Sequence, residues 1–258
     1  MDSELERGYN LRQAFPDYAQ YFEDWRARSA AARARLDCEL DVAYGPKPRQ
    51  KFDRFSARDT RTPLLVFIHG GYWRSMDKSD FSFLAEPLVA RGISVAMPGY
   101  SLCPDATIDE IVADVRTAFS ALAQRADRIH LCGWSAGAHL AAMLVAGGAP
   151  NIRSVLGLSG IYDLRPLRHV SMNEDLRLDE ETAARNSPLL LQPETQTRFA
   201  IAAGALETPA LRKQSRDLAD AWRVSAHEVP GVHHYAIVSE LADERSALFG
   251  TLLEQIRF

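Results

Sequence analysis

Arg128-Ile129-His130-Leu131-Cys132-Gly133-Trp134-Ser135-Ala136-Gly137-Ala138-His139 is the stretch that decides how this 258-residue chain folds. An apolar run of strand length enters Gly-Trp-Ser-Ala-Gly, and an Ala-rich helical pattern leaves it. A G-x-S-x-G turn between a buried strand and a helix holds its serine in strained backbone at the end of a sheet. The flanking glycines let strand and helix approach where a side chain would intervene. The helix start behind the serine offers free N–H groups and the positive end of its dipole to a developing oxyanion. Ser135 is therefore the expected nucleophile.

Outward from this turn, short apolar runs recur at 64–68, 93–97, 155–158, 199–203 and 224–229, alongside 129–132 in the turn itself. Helical patterns fill the intervals, at about 78–90, 108–124, 136–145 and 211–222, and a last one covers 241–256. Strands alternating with helices predict βαβ units, hence an α/β fold: a mostly parallel, doubly wound sheet with helices on both faces. The stretch 162–196 shows no clean strand and predicts a small helical cap. Residues 1–38 read as a leading helical segment, with aromatics at Tyr18, Tyr21, Phe22 and Trp25. Its arginines Arg26, Arg28, Arg33 and Arg35 read as a solvated face. No repeat and no long linker divides the chain, so a single domain over 1–258 is expected.

Composition narrows the function classes. The 47% apolar and 25% charged content is that of a globular protein and excludes disordered and fibrous classes. Thirty basic against thirty-four acidic residues, with no basic block, argue against nucleic-acid and membrane-surface binding. The N-terminus has no apolar signal region, and Cys38, Cys103 and Cys132 form no C-x-x-C pair. The chain reads as reduced, cytoplasmic and soluble. Its expected partner is a small-molecule substrate, and a homodimer stays open. No metal motif, phosphate loop or dinucleotide fingerprint occurs, so no cofactor and no metal are expected.

A second glycine motif, His69-Gly70-Gly71-Tyr72-Trp73, follows the run at 64–68. There the backbone itself can approach a reacting carbonyl oxygen, so Gly71, Tyr72 and Ala136 are the expected oxyanion donors. A serine needs a base, and the base an orienting acid, in the chain order serine, acid, histidine. The turn after the last strand holds His233 and His234, and His234 is favoured. The loop after the preceding strand holds Glu207, which is favoured over Asp163, one strand earlier. Tyr72, Trp73 and Trp134 crowd the serine. They predict little room on the acyl side and a stacking surface for an aryl leaving group.

With these residues in place the chain resembles the α/β hydrolases and, more narrowly, the cofactor-independent kynurenine formamidases (arylformamidases). The narrower resemblance rests on His-Gly-Gly-Tyr-Trp at 69–73, Ser-Gly-Ile-Tyr-Asp-Leu-Arg-Pro-Leu at 159–167 and Asn-Ser-Pro-Leu at 186–189. Arg-Lys-Gln-Ser at 212–215, His-Tyr-Ala-Ile-Val at 234–238, and Tyr44-Gly45 with Asp53 add to it, so it covers nearly the whole chain. The resemblance implies an α/β-hydrolase fold and a Ser135–Glu207–His234 triad, with oxyanion donors in the 69–73 loop and at Ala136. It implies cleavage of a small acyl group, formyl above all, from an aryl amide without a cofactor. Glu207 departs from the family's usual aspartate. A carboxylesterase for short acyl or aryl esters is the alternative expectation, and a non-catalytic binding protein is disfavoured because all three triad types have candidates.

Overall fold

The computed structural model describes residues 2–57, 62–126, 128–193 and 197–257. The ends of two sequence features, Arg61 before the first core strand and 194–196 of the cap stretch, lie outside the described residues. Eight strands form one sheet: β1 (Cys38–Ala43), β2 (Lys51–Phe55), β3 (Leu64–Ile68), β4 (Ser94–Pro98), β5 (Ile129–Trp134), β6 (Ile152–Leu158), β7 (Arg198–Gly204) and β8 (Ser225–Val229). Their order is β1-β2-β4-β3-β5-β6-β7-β8. From β4 to β8 every pairing is parallel. Strands β3, β4 and β5 are buried at every position, which is why they read as unbroken apolar runs. The helix Ala136–Ala146 is buried along its whole length against β3, β5 and β6.

Four parts of the chain differ from the sequence expectation. Strands β1 and β2 were not foreseen; they pair antiparallel to each other, and β2 pairs antiparallel to β4. Their charged residues hide the strand pattern, because Asp53 is buried with Lys78 Nζ 2.8 Å away and the Asp41 N–H donating to it at 2.9 Å. The 78–90 pattern is a 3-10 helix, Lys78–Leu84, followed by a short α-helix, Ala85–Val89. Of the 241–256 pattern only Ala247–Ile256 is helical, beginning where Ser246 Oγ accepts the Phe249 N–H; a separate short helix, Ala236–Glu240, precedes the pattern. Strand β8 is an edge strand with mostly exposed residues rather than a buried one.

The leading segment forms helices Ser3–Tyr9, Leu11–Ala14 and Tyr18–Arg35. Its arginine face is not merely solvated. Arg26 pairs with Asp80, Arg35 with Glu86, and Arg33 donates to the Ser79 carbonyl and Ser82 Oγ, so the helix docks on the 78–89 segment. Trp25 is fully buried, edge-on to Trp134 at 5.5 Å, and its indole N–H donates to Ser239 Oγ. Between β6 and β7 the described residues form short helical turns, Arg165–His169, Asn173–Leu176, Glu180–Arg185 and Pro188–Leu190.

Candidate active site

Strand β5 runs into the helix Ala136–Ala146 through Ser135, whose backbone sits at φ 56 and ψ −118. Positive φ at a non-glycine residue costs of order 1–3 kcal/mol and persists only where neighbours over-determine it. They do so here. The Ser135 N–H donates to the Leu158 carbonyl at 2.8 Å. A Cβ on Gly133 would sit 2.3 Å from the Gly137 oxygen, and one on Gly137 would sit 1.9 Å from the Ile68 oxygen. Only glycine permits this crossing of strand, turn and helix.

Glu207 and His234 meet from two separate loops. Glu207 follows β7, and His234 follows β8. His234 Nδ1 lies 3.3 Å from Glu207 Oε2, with both side chains buried. The carboxylate can only accept, so Nδ1 carries the hydrogen and Nε2 is left with its lone pair. The other carboxylate oxygen accepts the Gly204 N–H at 2.9 Å and the Ser159 hydroxyl. Trp134 Nε1–H donates to the His234 carbonyl at 3.0 Å and bears on its ring. Ser135 and His234 line one pocket of about 280 Å³. Among the described residues no hydrogen bond joins them directly.

The alternatives lie elsewhere. His233 stacks on Phe15 at 4.7 Å and points toward Tyr21 and Asp17. Asp163 is clamped by Arg165, whose Nε and Nη2 donate to its two oxygens at 2.9 and 2.8 Å. Neither touches the Ser135 pocket.

The 69–73 loop turns through three successive positive φ values, Gly71 at 106, Tyr72 at 51 and Trp73 at 55. The Gly71 carbonyl takes the Arg74 and Ser75 N–H groups, closing the turn. Among the described residues no acceptor takes the N–H of Gly71, Tyr72 or Ala136. A Cβ on Gly70 would fall 2.6 Å from Trp134 and 3.0 Å from Ser135 Cβ, so the loop lies directly on the serine turn. His69 donates from Nδ1 to the Gly70 carbonyl at 2.8 Å, and burial pulls its pKa down to about 4.

Of the three aromatics expected at the substrate, Tyr72 and Trp134 line the pocket and Trp73 does not. Trp73 is fully buried, does not line the pocket, and donates to His139 Nδ1 at 3.2 Å. Trp134 borders the pocket but is buried, and its one polar group is committed to the His234 carbonyl. Tyr72 does line the pocket; its hydroxyl donates to the Tyr9 carbonyl at 2.6 Å.

Sequence reasoning missed the opposite wall. Tyr9, Asn10, Leu11, Arg12 and Phe22 of the leading segment line the pocket, as do Met76, Met172 and Tyr235. The available signal was the aromatic cluster at 18–25, which packs around Tyr235 beside His234. Among the described residues no three His, Cys, Asp or Glu side chains converge to hold a metal ion.

Known proteins share this arrangement to different depths. The family model described as BD-FAE matches residues 55–203, from β2 through β7 and across Ser135. A kynurenine formamidase from Danio rerio is 35% identical over 252 residues, covering 89% of this chain and 86% of that protein. A crystal structure from a Silicibacter species, provisionally named a thioesterase, superposes with a TM-score of 0.93 at 35% identity, covering 98% of this chain and all of that one. Esterase B from Lactobacillus rhamnosis superposes with a TM-score of 0.71 at 19% identity, over 96% of this chain and 94% of its own, and shares the fold.

Proposed function

We propose that this chain, which belongs to the kynurenine formamidase family of the α/β hydrolases, removes a formyl group from an aryl formamide of the N-formylkynurenine kind through a formyl-enzyme on Ser135. It is a hydrolase of formamide or ester bonds; the choice of bond, nucleophile and acyl group is what the proposal adds. The observation that carries it is the buried Glu207–His234 contact opening on the pocket that contains Ser135.

In this reading Ser135 Oγ attacks the formyl carbon while His234 Nε2 takes the hydroxyl proton, and Glu207 stabilises the imidazolium that results. The Gly71, Tyr72 and Ala136 N–H groups receive the oxyanion. Collapse breaks the C–N bond, and His234 returns the proton to the departing aryl nitrogen. Water, giving a proton to His234, then attacks the formyl ester; formate leaves, and Ser135 regains its hydrogen. The pocket, about 280 Å³, sits at the small end of ligand sites and supports a small acyl group.

The test is kcat/KM for formyl, acetyl and butyryl amides and esters of one aryl leaving group, with N-formylkynurenine among them. Formyl is expected to be fastest, with each methylene that does not fit costing about 1–3 kcal/mol, roughly 10- to 200-fold. A preference for butyryl or longer esters overturns the formamidase reading in favour of a carboxylesterase.

A further inference from the structure

Besides His234, three charged side chains among the described residues border the Ser135 pocket: Arg12, Arg74 and Asp175. Arg74 Nη1 donates to Asp175 Oδ2, and the two charges cancel. Arg12 has no such partner: it is exposed, no carboxylate of the described residues pairs with it, and its guanidinium lies 5.3 Å from the centroid of the Tyr18 ring. A guanidinium resting on an aromatic face keeps its in-plane N–H fork free for a planar anion. The wall that carries it is held in place. Tyr72 donates to the Tyr9 carbonyl at 2.6 Å, Gln214 Nε2 to the Tyr9 hydroxyl at 2.8 Å, and Thr208 Oγ1 to the Gly8 carbonyl at 2.7 Å. Arg12 is thus set in register with both the 69–73 loop and the loop of Glu207.

We infer that Arg12 is a specificity residue that binds a carboxylate on the leaving-group side of the substrate, so that the enzyme selects acidic aryl substrates over neutral ones. The inference rests on the Ser135 hydrolase reading. For an N-formylkynurenine-like substrate the group bound is the amino-acid carboxylate, remote from the scissile bond. A charged pair of this kind forms bidentate hydrogen bonds and strengthens as water leaves the pocket.

The experiment compares wild type, Arg12→Ala, Arg12→Lys and Arg12→Glu on two formamides of one aryl skeleton: N-formylkynurenine, and o-formamidoacetophenone, which lacks the amino-acid group. The quantity read is the ratio of kcat/KM between them. Arg12→Ala is expected to lower that ratio about tenfold, mainly through KM for the acidic substrate, with Arg12→Lys between it and wild type and Arg12→Glu lower still. A ratio unchanged in Arg12→Ala and Arg12→Glu overturns the inference. If wild type cleaves neither formamide, the formamidase reading fails separately, and the same ratio is taken on 3-carboxyphenyl acetate and phenyl acetate. There a charge-selective loss supports the Arg12 assignment and an unchanged ratio overturns it.

Discussion

The two walls of the pocket are built on different principles. On one side, Ser135, Glu207 and His234 sit in turns that follow strands of the parallel sheet, and the backbone holds them through main-chain hydrogen bonds and unusual torsions. Ser135, Ser159, Tyr72 and Trp73 all have positive φ. On the other side, residues 8–12 come from helices of seven and four residues, too short to stand alone. Side-chain hydrogen bonds to Tyr72, Thr208, Gln214 and Ser171 fasten them. A rigid sheet end suits groups that must meet a transition state within a fraction of an ångström, whereas a fastened strap suits the recognition of remote parts of the substrate. Damage to the first wall should therefore appear in kcat, and damage to the second in KM and selectivity.

The largest effect tests the first half of that contrast. Ser135→Ala should lower kcat by about 10⁴-fold or more in steady-state assays, with circular dichroism unchanged, since only the hydroxyl is lost. Retained activity would remove the sheet side from the chemistry altogether. Glu207→Gln comes next, expected to cost about 10³–10⁴-fold in kcat because the His234 ring loses its tautomer control, while Asp163→Asn should stay within a few-fold. The reverse ranking would move the acid to the Arg165-clamped site and separate it from His234.

The same contrast explains what could be read from the sequence. The serine turn was legible because its requirements are local: two glycines, a buried strand and a helix, all within twelve residues. Glu207 and His234 were legible because each lies in a short loop at a position fixed by strand order. The opposite wall was not, since Tyr9 is held by Tyr72, 63 residues away, and by Gln214, 205 residues away, and no local pattern encodes either bond. Strand β2 was lost for a related reason: Asp53 reads as surface until Lys78 is placed against it. Trp73 was placed at the substrate because an aromatic beside a serine looks the same in sequence whether it faces ligand or core; of the two tryptophans only Trp134 borders the pocket. Both indole N–H groups are committed within the protein, to His139 and to the His234 carbonyl.

Acid sharpens the comparison at a smaller scale. His69 and His139 border the 69–73 loop and His130 lies in β5; burial pulls all three down to about 4 from 6.5. Between those values the unfolded chain binds protons that the folded chain refuses, so stability falls as pH drops from about 6.5 to about 4, by at most about 1.4 kcal/mol per pH unit for each histidine. On the opposite wall, burial pushes Glu6 up but the Ser171 N–H and hydroxyl outweigh it, leaving it below its usual 4.5. Its stabilising contribution is lost only under more acidic conditions. Calorimetry at pH 7, 6 and 5 should show Tm falling before the Glu6 tie titrates; a flat Tm to pH 5 would mean that the sheet side is not the acid-sensitive one.

The smallest effect lies where the two walls touch. Tyr72 belongs to both: its backbone N–H has no acceptor among the described residues and is one of the proposed oxyanion donors, and its hydroxyl holds the Tyr9 carbonyl of the strap. Tyr72→Phe keeps the first and removes the second. Losing one neutral hydrogen bond costs about 1 kcal/mol, enough to loosen residues 9–12 without unfolding them. The expected result is a rise in KM of about fivefold, with kcat within about twofold, because the turn itself stays closed by the Gly71 carbonyl accepting from Arg74 and Ser75. Stopped-flow measurement of acylation would separate the two terms. A fall in kcat of a hundredfold at constant KM would show that the strap fixes the oxyanion donors themselves, and the division of labour between the walls would then be wrong at the residue where they meet.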